Sequence, residues 1–114
     1  MRKLDKELKS MDTLASLADT VELSPSDYRP LLQAFIEQTA VDLEGIRTGI
    51  EKRDIRSISE RIHSIKGAAL NLGLSEISRL TEKMSSLNKA EDMEGVKEHL
   101  YSCSKEVDTL MRLL

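Results

Sequence analysis

Residues 54–73 read DIRSISERIHSIKGAALNLG, and the spacing of their apolar side chains decides how the rest of the chain is read. Ile55, Ile58, Ile62, Ile65, Ala69 and Leu72 recur at steps of three and four, which lines one face of an α-helix and leaves the other to polar residues. Asp54 suits the N-cap, because its carboxylate can accept from an unpaired N–H of the first turn. Gly73 stands where a left-handed C′ residue would end the helix with no Cβ to clash.

The same period continues on both sides. Upstream, Leu32, Phe35, Ile36, Thr39, Leu43, Ile46 and Ile50 form the stripe of a long helix predicted to begin at residues 24–27. There Ser24-Pro25-Ser26-Asp27 offers capping oxygens and a proline suited to a first turn. Downstream, a helix is predicted from Leu74 to about Leu87, capped by Ser75, with Ile77, Leu80 and Met84 inward. Asn88–Asp92 reads as a polar turn, and a last helix from about Met93 to Leu114 would bury Val96, Leu100, Cys103, Val107 and Leu110 or Met111. At the N-terminus Leu4, Leu8, Met11, Ala15 and Ala18 suit a short amphipathic helix or a linker. Short turns force sequential helices to lie side by side. The expectation is therefore an all-α fold in a single domain spanning 1–114: an antiparallel up-down-up-down four-helix bundle over 24–114, with an additional short N-terminal helix or linker over 1–20.

Composition narrows the function classes. With 114 residues there is material for one core, and with aromatics at 3 % that core must come from Leu, Ile, Met and Val, which favours helix-on-helix packing. A net charge of −3 lacks the basic excess that phosphate neutralisation needs, so no nucleic-acid partner is expected. The first residues alternate charged groups with leucine and hold no apolar run, so neither a signal peptide nor a membrane span is expected. Cys103 is the one cysteine; it excludes an internal disulfide and points to a reducing, cytoplasmic setting. Met11, Met84, Met93 and Met111 read as core filler and His99 as a surface residue. No Ser-His-Asp order, zinc helix, P-loop or Gly-rich nucleotide fingerprint is present, which argues against a self-sufficient enzyme.

His63 is the position with chemistry to offer. On a wheel of about 100° per residue it falls about 130° from the mean direction of the isoleucines, toward solvent. Ser59 lies four residues before it, Lys66 three after, Gly67 four after and Leu70 seven after, with Arg56 on the same outer stripe. A neutral imidazole presents a nucleophilic nitrogen, and an ammonium one turn away can offset the charge of a transferred phosphoryl group. Gly67 costs the helix about 1 kcal/mol relative to alanine. On an exposed face that sacrifice makes sense where another protein presses close, and Leu70 would supply apolar contact there. Arg56, Arg61, Lys52 and Arg53 make this stretch locally basic, which would either steer an acidic partner or simply solvate the face. Glu60 would either repel a phosphoryl group or hydrogen-bond the imidazole.

The run His63-Ser64-Ile65-Lys66-Gly67-Ala68-Ala69-Leu70-Asn71-Leu72-Gly73 resembles the signature of histidine phosphotransfer (HPt) domains: H-x-x-K-G, two small residues, then a hydrophobic-Gly pair. The likeness extends less sharply from about Ser24 to Leu87, and residues 1–20 and 90–114 match only as generic helix. The resemblance implies a four-helix bundle whose exposed histidine relays phosphoryl groups to or from the aspartate of a response-regulator receiver domain. His63 would be the phosphoacceptor, Lys66 its electrostatic helper, and Gly67 the clearance residue, while Gly73 would shape the turn. Arg56, Ser59 and Leu70 join Gly67 as the expected docking positions. The implied partners are a receiver domain, a sensor histidine kinase, or both; a monomer is the default expectation for the chain itself. It would be a phosphoryl carrier, not an enzyme with its own ATP site, and would hold no cofactor or metal; the Mg2+ belongs to the receiver. Two other readings remain open at this point, an HPt-like interaction module that carries no phosphate and the phosphoacceptor domain of a chemotaxis-type kinase. A start methionine and a full set of bundle helices stand against the latter, but a domain cut from a longer chain would look the same, so both stay open.

Overall fold

Each helix in the computed structural model, which describes residues 13–114, begins and ends where local chemistry allows. We number the helices α1 (13–20, its described part), α2 (Pro25–Lys52), α3 (Ile55–Asn71), α4 (Ser75–Lys89) and α5 (Met93–Met111). Ser24 caps α2 by accepting from the Asp27 N–H, Asp54 caps α3 through Ser57, and Asp92 caps α5 through Gly95. Each satisfies a donor that the helix itself leaves unpaired. Pro30 lies in the second turn of α2, where the missing N–H frees only the carbonyl of exposed Ser26.

The turns share one construction. After α1, α2, α3 and α4 a single residue takes a left-handed conformation, at φ 60° for Glu22, 51° for Arg53, 68° for Gly73 and 57° for Glu91. The next N–H then reaches back five residues, from Leu23 to Ala18, Asp54 to Gly49, Leu74 to Ala69 and Asp92 to Leu87, each at 2.9 Å. This motif occupies last-turn carbonyls and reverses the chain within a few residues. Consecutive helices therefore run antiparallel.

α2 packs on α3, α3 on α4, α4 on α5, and α2 closes the ring against α5, which makes an all-α up-down-up-down four-helix bundle with a short N-terminal helix added. Described residues of α1 join the same core through Leu14 and Ala18. Tyr28, Leu32, Ile46, Ile58, Ile62, Ile65, Ile77, Met84 and Val96 are its largest fully buried apolar side chains. Two long-range hydrogen bonds pin the ends of α3. The Tyr28 hydroxyl donates to the Leu72 carbonyl at 2.7 Å, and Asn88 Nδ2 donates to the Ile55 carbonyl at 3.0 Å.

Several sequence expectations need correction. Ala15 is exposed, and Leu14 takes its inward place because the larger side chain gains more from burial. Leu4, Leu8 and Met11 lie outside the described residues. Ser75 is not a cap: Leu74 occupies the N-cap position without a side-chain bond, since its own side chain is drawn into the core. Asn88 is not in a turn but within α4, buried, where its amide serves α3. Of the pair Leu110 and Met111 the leucine is inward; Met111 is exposed and is not core filler. α5 stops at Met111, three residues short of the expected Leu114.

Candidate functional site

α3 sets the site. Ile58, Ile62, Ile65 and Ala69 are buried on its inner face, and that fixes which residues the helix turns outward. His63, Ser59, Glu60, Arg56, Gly67 and Leu70 are all exposed. The His63 ring makes no hydrogen bond or ion pair among the described residues. A Cβ placed on Gly67 would meet nothing within 4 Å, so the ground one turn beyond the histidine is open. Leu70, 59 % exposed, is an apolar side chain on that same open face.

The charged neighbours are already engaged. Glu60 pairs with Arg56 at 3.4 Å, one turn away along the helix, and not with the imidazole. Lys66 crosses to α4 and hydrogen-bonds Glu82, whose carboxyl group this bond, and then the ammonium's charge, hold below the usual carboxylate range. Both pairs are solvent-exposed enough to exchange partners at small cost.

Behind the exposed face, α3 is clamped to α2 by a buried carboxylate. Asp42, 3 % exposed, accepts from Arg61 Nη1 at 3.0 Å and from the Ser64 hydroxyl at 3.2 Å. Gly45 makes room for the arginine, since a Cβ there would lie 2.6 Å from Arg61 Nε. Gly49 brings the two helices together one turn later, with the corresponding position 2.6 Å from Ile58 Cγ1. Arg61 and Ser64 flank Ile62 and His63, so this clamp holds the register and roll of the histidine helix. Arg61 thus does structural work on α3 and is not simply one of its solvated charges.

Sequence reasoning brought His63, Lys66, Gly67 and Leu70 onto one face, and the structure has them there, with Arg56 and Ser59 one to two turns before. It missed Asp42, Glu82, Gly45 and Asn88. Asp42 was detectable in principle, because an acid on the stripe of Thr39, Leu43 and Ile46 has to find a cation inside. Glu82 carries no such signal. His99 is half-buried, with Nδ1 2.9 Å from the Gly95 carbonyl. Burial pushes the Cys103 thiol up to about 12, with Glu106 adding to the shift, so it offers no nucleophile.

An unpartnered imidazole over open ground, one helical turn before a lysine whose ammonium Glu82 holds, is an arrangement that can attack an electrophile delivered by another protein. Among the described residues no group of three His, Cys, Asp or Glu side chains is arranged to hold a metal ion, and no helix is long and apolar enough to cross a membrane. A family model, the Hpt domain, matches residues 30–113, which spans all of α3, α4 and α5 and most of α2. No curated protein matches the chain, and no solved structure does.

Proposed function

Because the chain belongs to the Hpt domain family, whose members are phosphocarriers in two-component signalling, we propose that it accepts a phosphoryl group on His63 and exchanges it with the aspartate of a response-regulator receiver domain. One observation carries the reading: the His63 ring is free of partners and stands on a face that Gly67 leaves clear.

In the proposed step a ring nitrogen of neutral His63 attacks the phosphorus of the receiver's aspartyl phosphate. The N–P bond forms as the P–O bond breaks, and the carboxylate leaves with the electron pair. The reverse step returns the group. Lys66 offsets charge on the phosphoryl oxygens, the electrostatic service that dominates such transfers. Gly67 admits the receiver's active-site rim, Leu70 gives it an apolar contact, and Arg56 and Ser59 lie along the same contact stripe. Gly73 holds the turn that ends the helix. The acidic pocket and its Mg2+ are the receiver's, so this chain contributes nucleophile, charge and clearance without an ATP site or cofactor of its own. The reading makes the chain a cytoplasmic monomer that meets a receiver, a sensor kinase or both.

The test is transfer itself. A receiver captured on the immobilised chain and charged with radiolabelled acetyl phosphate should pass acid-labile, alkali-stable label to the wild type. His63→Gln should take none. Label retained by that variant rejects the reading, and receiver binding that survives His63→Ala without any phosphoryl species would make the chain a docking module instead.

A further inference from the structure

We propose that Glu82 is a positioning residue for this phosphotransfer: it holds the Lys66 ammonium in the unphosphorylated protein and yields it when a phosphoryl group arrives on His63. The inference rests on His63 being the phosphoacceptor.

Lys66 and Glu82 sit on different helices, α3 and α4, so their pairing comes from the bundle and not from helix geometry. Glu82 is the one ion-pair partner of Lys66 among the described residues. The lysine's side chain is 35 % exposed and the glutamate's 61 %. A pair so wetted is weak, and its lysine swings on a flexible four-carbon stem. One turn back along α3, a phosphorylated His63 would present a group carrying close to two negative charges and three acceptor oxygens. That group outcompetes a single carboxylate for the ammonium.

Glu82 and the phosphoryl group therefore compete for one cation. Whatever the Lys66–Glu82 pair contributes to the resting protein is subtracted from what Lys66 contributes to the phosphorylated one. Removing the carboxylate frees the lysine in advance and favours phosphohistidine, and an exposed pair of this kind implies a change of about two- to fivefold. The device lowers the loading of His63 and keeps the group easy to pass on, which suits a carrier that must release what it takes.

The experiment uses the full chain and potassium phosphoramidate. The imidazole nitrogen attacks phosphorus, the N–P bond to His63 forms as the donor's P–N bond breaks, and ammonia leaves with that electron pair. The ratio of phosphorylated to free His63 is measured by phosphorus NMR in a fixed phosphoramidate–ammonia mixture approached from both directions. The pKa of the bound phosphoryl group is titrated alongside. Glu82→Gln should raise the ratio about two- to fivefold and lower the phosphoryl pKa, Glu82→Asp should stay near wild type, and Lys66→Ala should lower the ratio. In the Lys66→Ala background Glu82→Gln should lose most of its effect. An unchanged ratio in Glu82→Gln overturns the proposal while leaving His63 as phosphoacceptor. So does an equal rise with and without Lys66, which would mark a general charge effect. A wild type that takes no phosphoryl group at His63 overturns both readings.

Discussion

Two glycines on neighbouring helices separate what a side chain costs from what it does. Gly67 has open space around it, so Gly67→Ala should stabilise the protein by about 0.5–1 kcal/mol through helix propensity alone. Gly49 is buried, with its Cβ position 2.6 Å from Ile58 Cγ1, and Ile58 has no exposed end to swing aside. Gly49→Ala should destabilise by about 1–3 kcal/mol. Urea denaturation of the two variants checks both signs. If Gly67→Ala proved neutral or harmful to stability, the glycine would have a structural use within the bundle, and the case for clearance would weaken. The contrast was half legible beforehand: the position of Gly67 on the outer stripe follows from helical period, whereas the closeness of Gly49 to Ile58 requires knowing which helix lies opposite.

Helix by helix, the stops matter as much as the stripes. Three of the four left-handed turn residues are Glu22, Arg53 and Glu91, which pay a steric penalty that Gly73 does not. Arg53 and Glu91 are exposed and make no side-chain bond that holds the turn. Replacing Arg53 with glycine should therefore stabilise the bundle by about 1 kcal/mol, measured as a shift of the urea midpoint at constant slope. Destabilisation instead would show that the arginine's stem covers apolar surface at the end of α2. The glycine-marked turn at Gly73 could be read from sequence because its residue type announces the conformation. The turn at Arg53 shows in the sequence only through the capping residue that follows it, Asp54, and the one at Glu91 only as a polar stretch, and that is why Asn88 reads as turn although it belongs to α4. An asparagine looks like turn chemistry until a carbonyl of another helix, here that of Ile55, is seen to need its amide.

Taken together, the bundle buries one thiol and one phenol whose ionisation opposes folding. Cys103 is fully buried, and its thiol is held near 12 against an ordinary 9.0; burial raises Tyr28 above 10.0 as well. A raised acid keeps its proton when folded and releases it when unfolded, so the unfolded state binds fewer protons as pH climbs. Stability is then intact below pH 9.0 and lost between there and about 12, with a slope from the thiol approaching 1.4 kcal/mol per pH unit, an order-of-magnitude figure. Denaturation of wild type and Cys103→Ala across this range should show a flatter alkaline limb in the variant. Parallel limbs would mean that the thiol ionises without unfolding.

The chain's own order of residues determined the helices, their inner faces and the outward turn of His63 with Lys66, Gly67 and Leu70, because all of these depend on a period of 3.6 residues and on neighbours within one or two turns. Tertiary structure alone decided that Asp42 would hold Arg61 and Ser64, that Asn88 would cap a carbonyl of α3, and that Lys66 would answer to Glu82. Those pairings join residues 16 to 33 positions apart. Only the packing of one helix on another brings such charges and amides within hydrogen-bonding range, and no local pattern records which partner the bundle will supply.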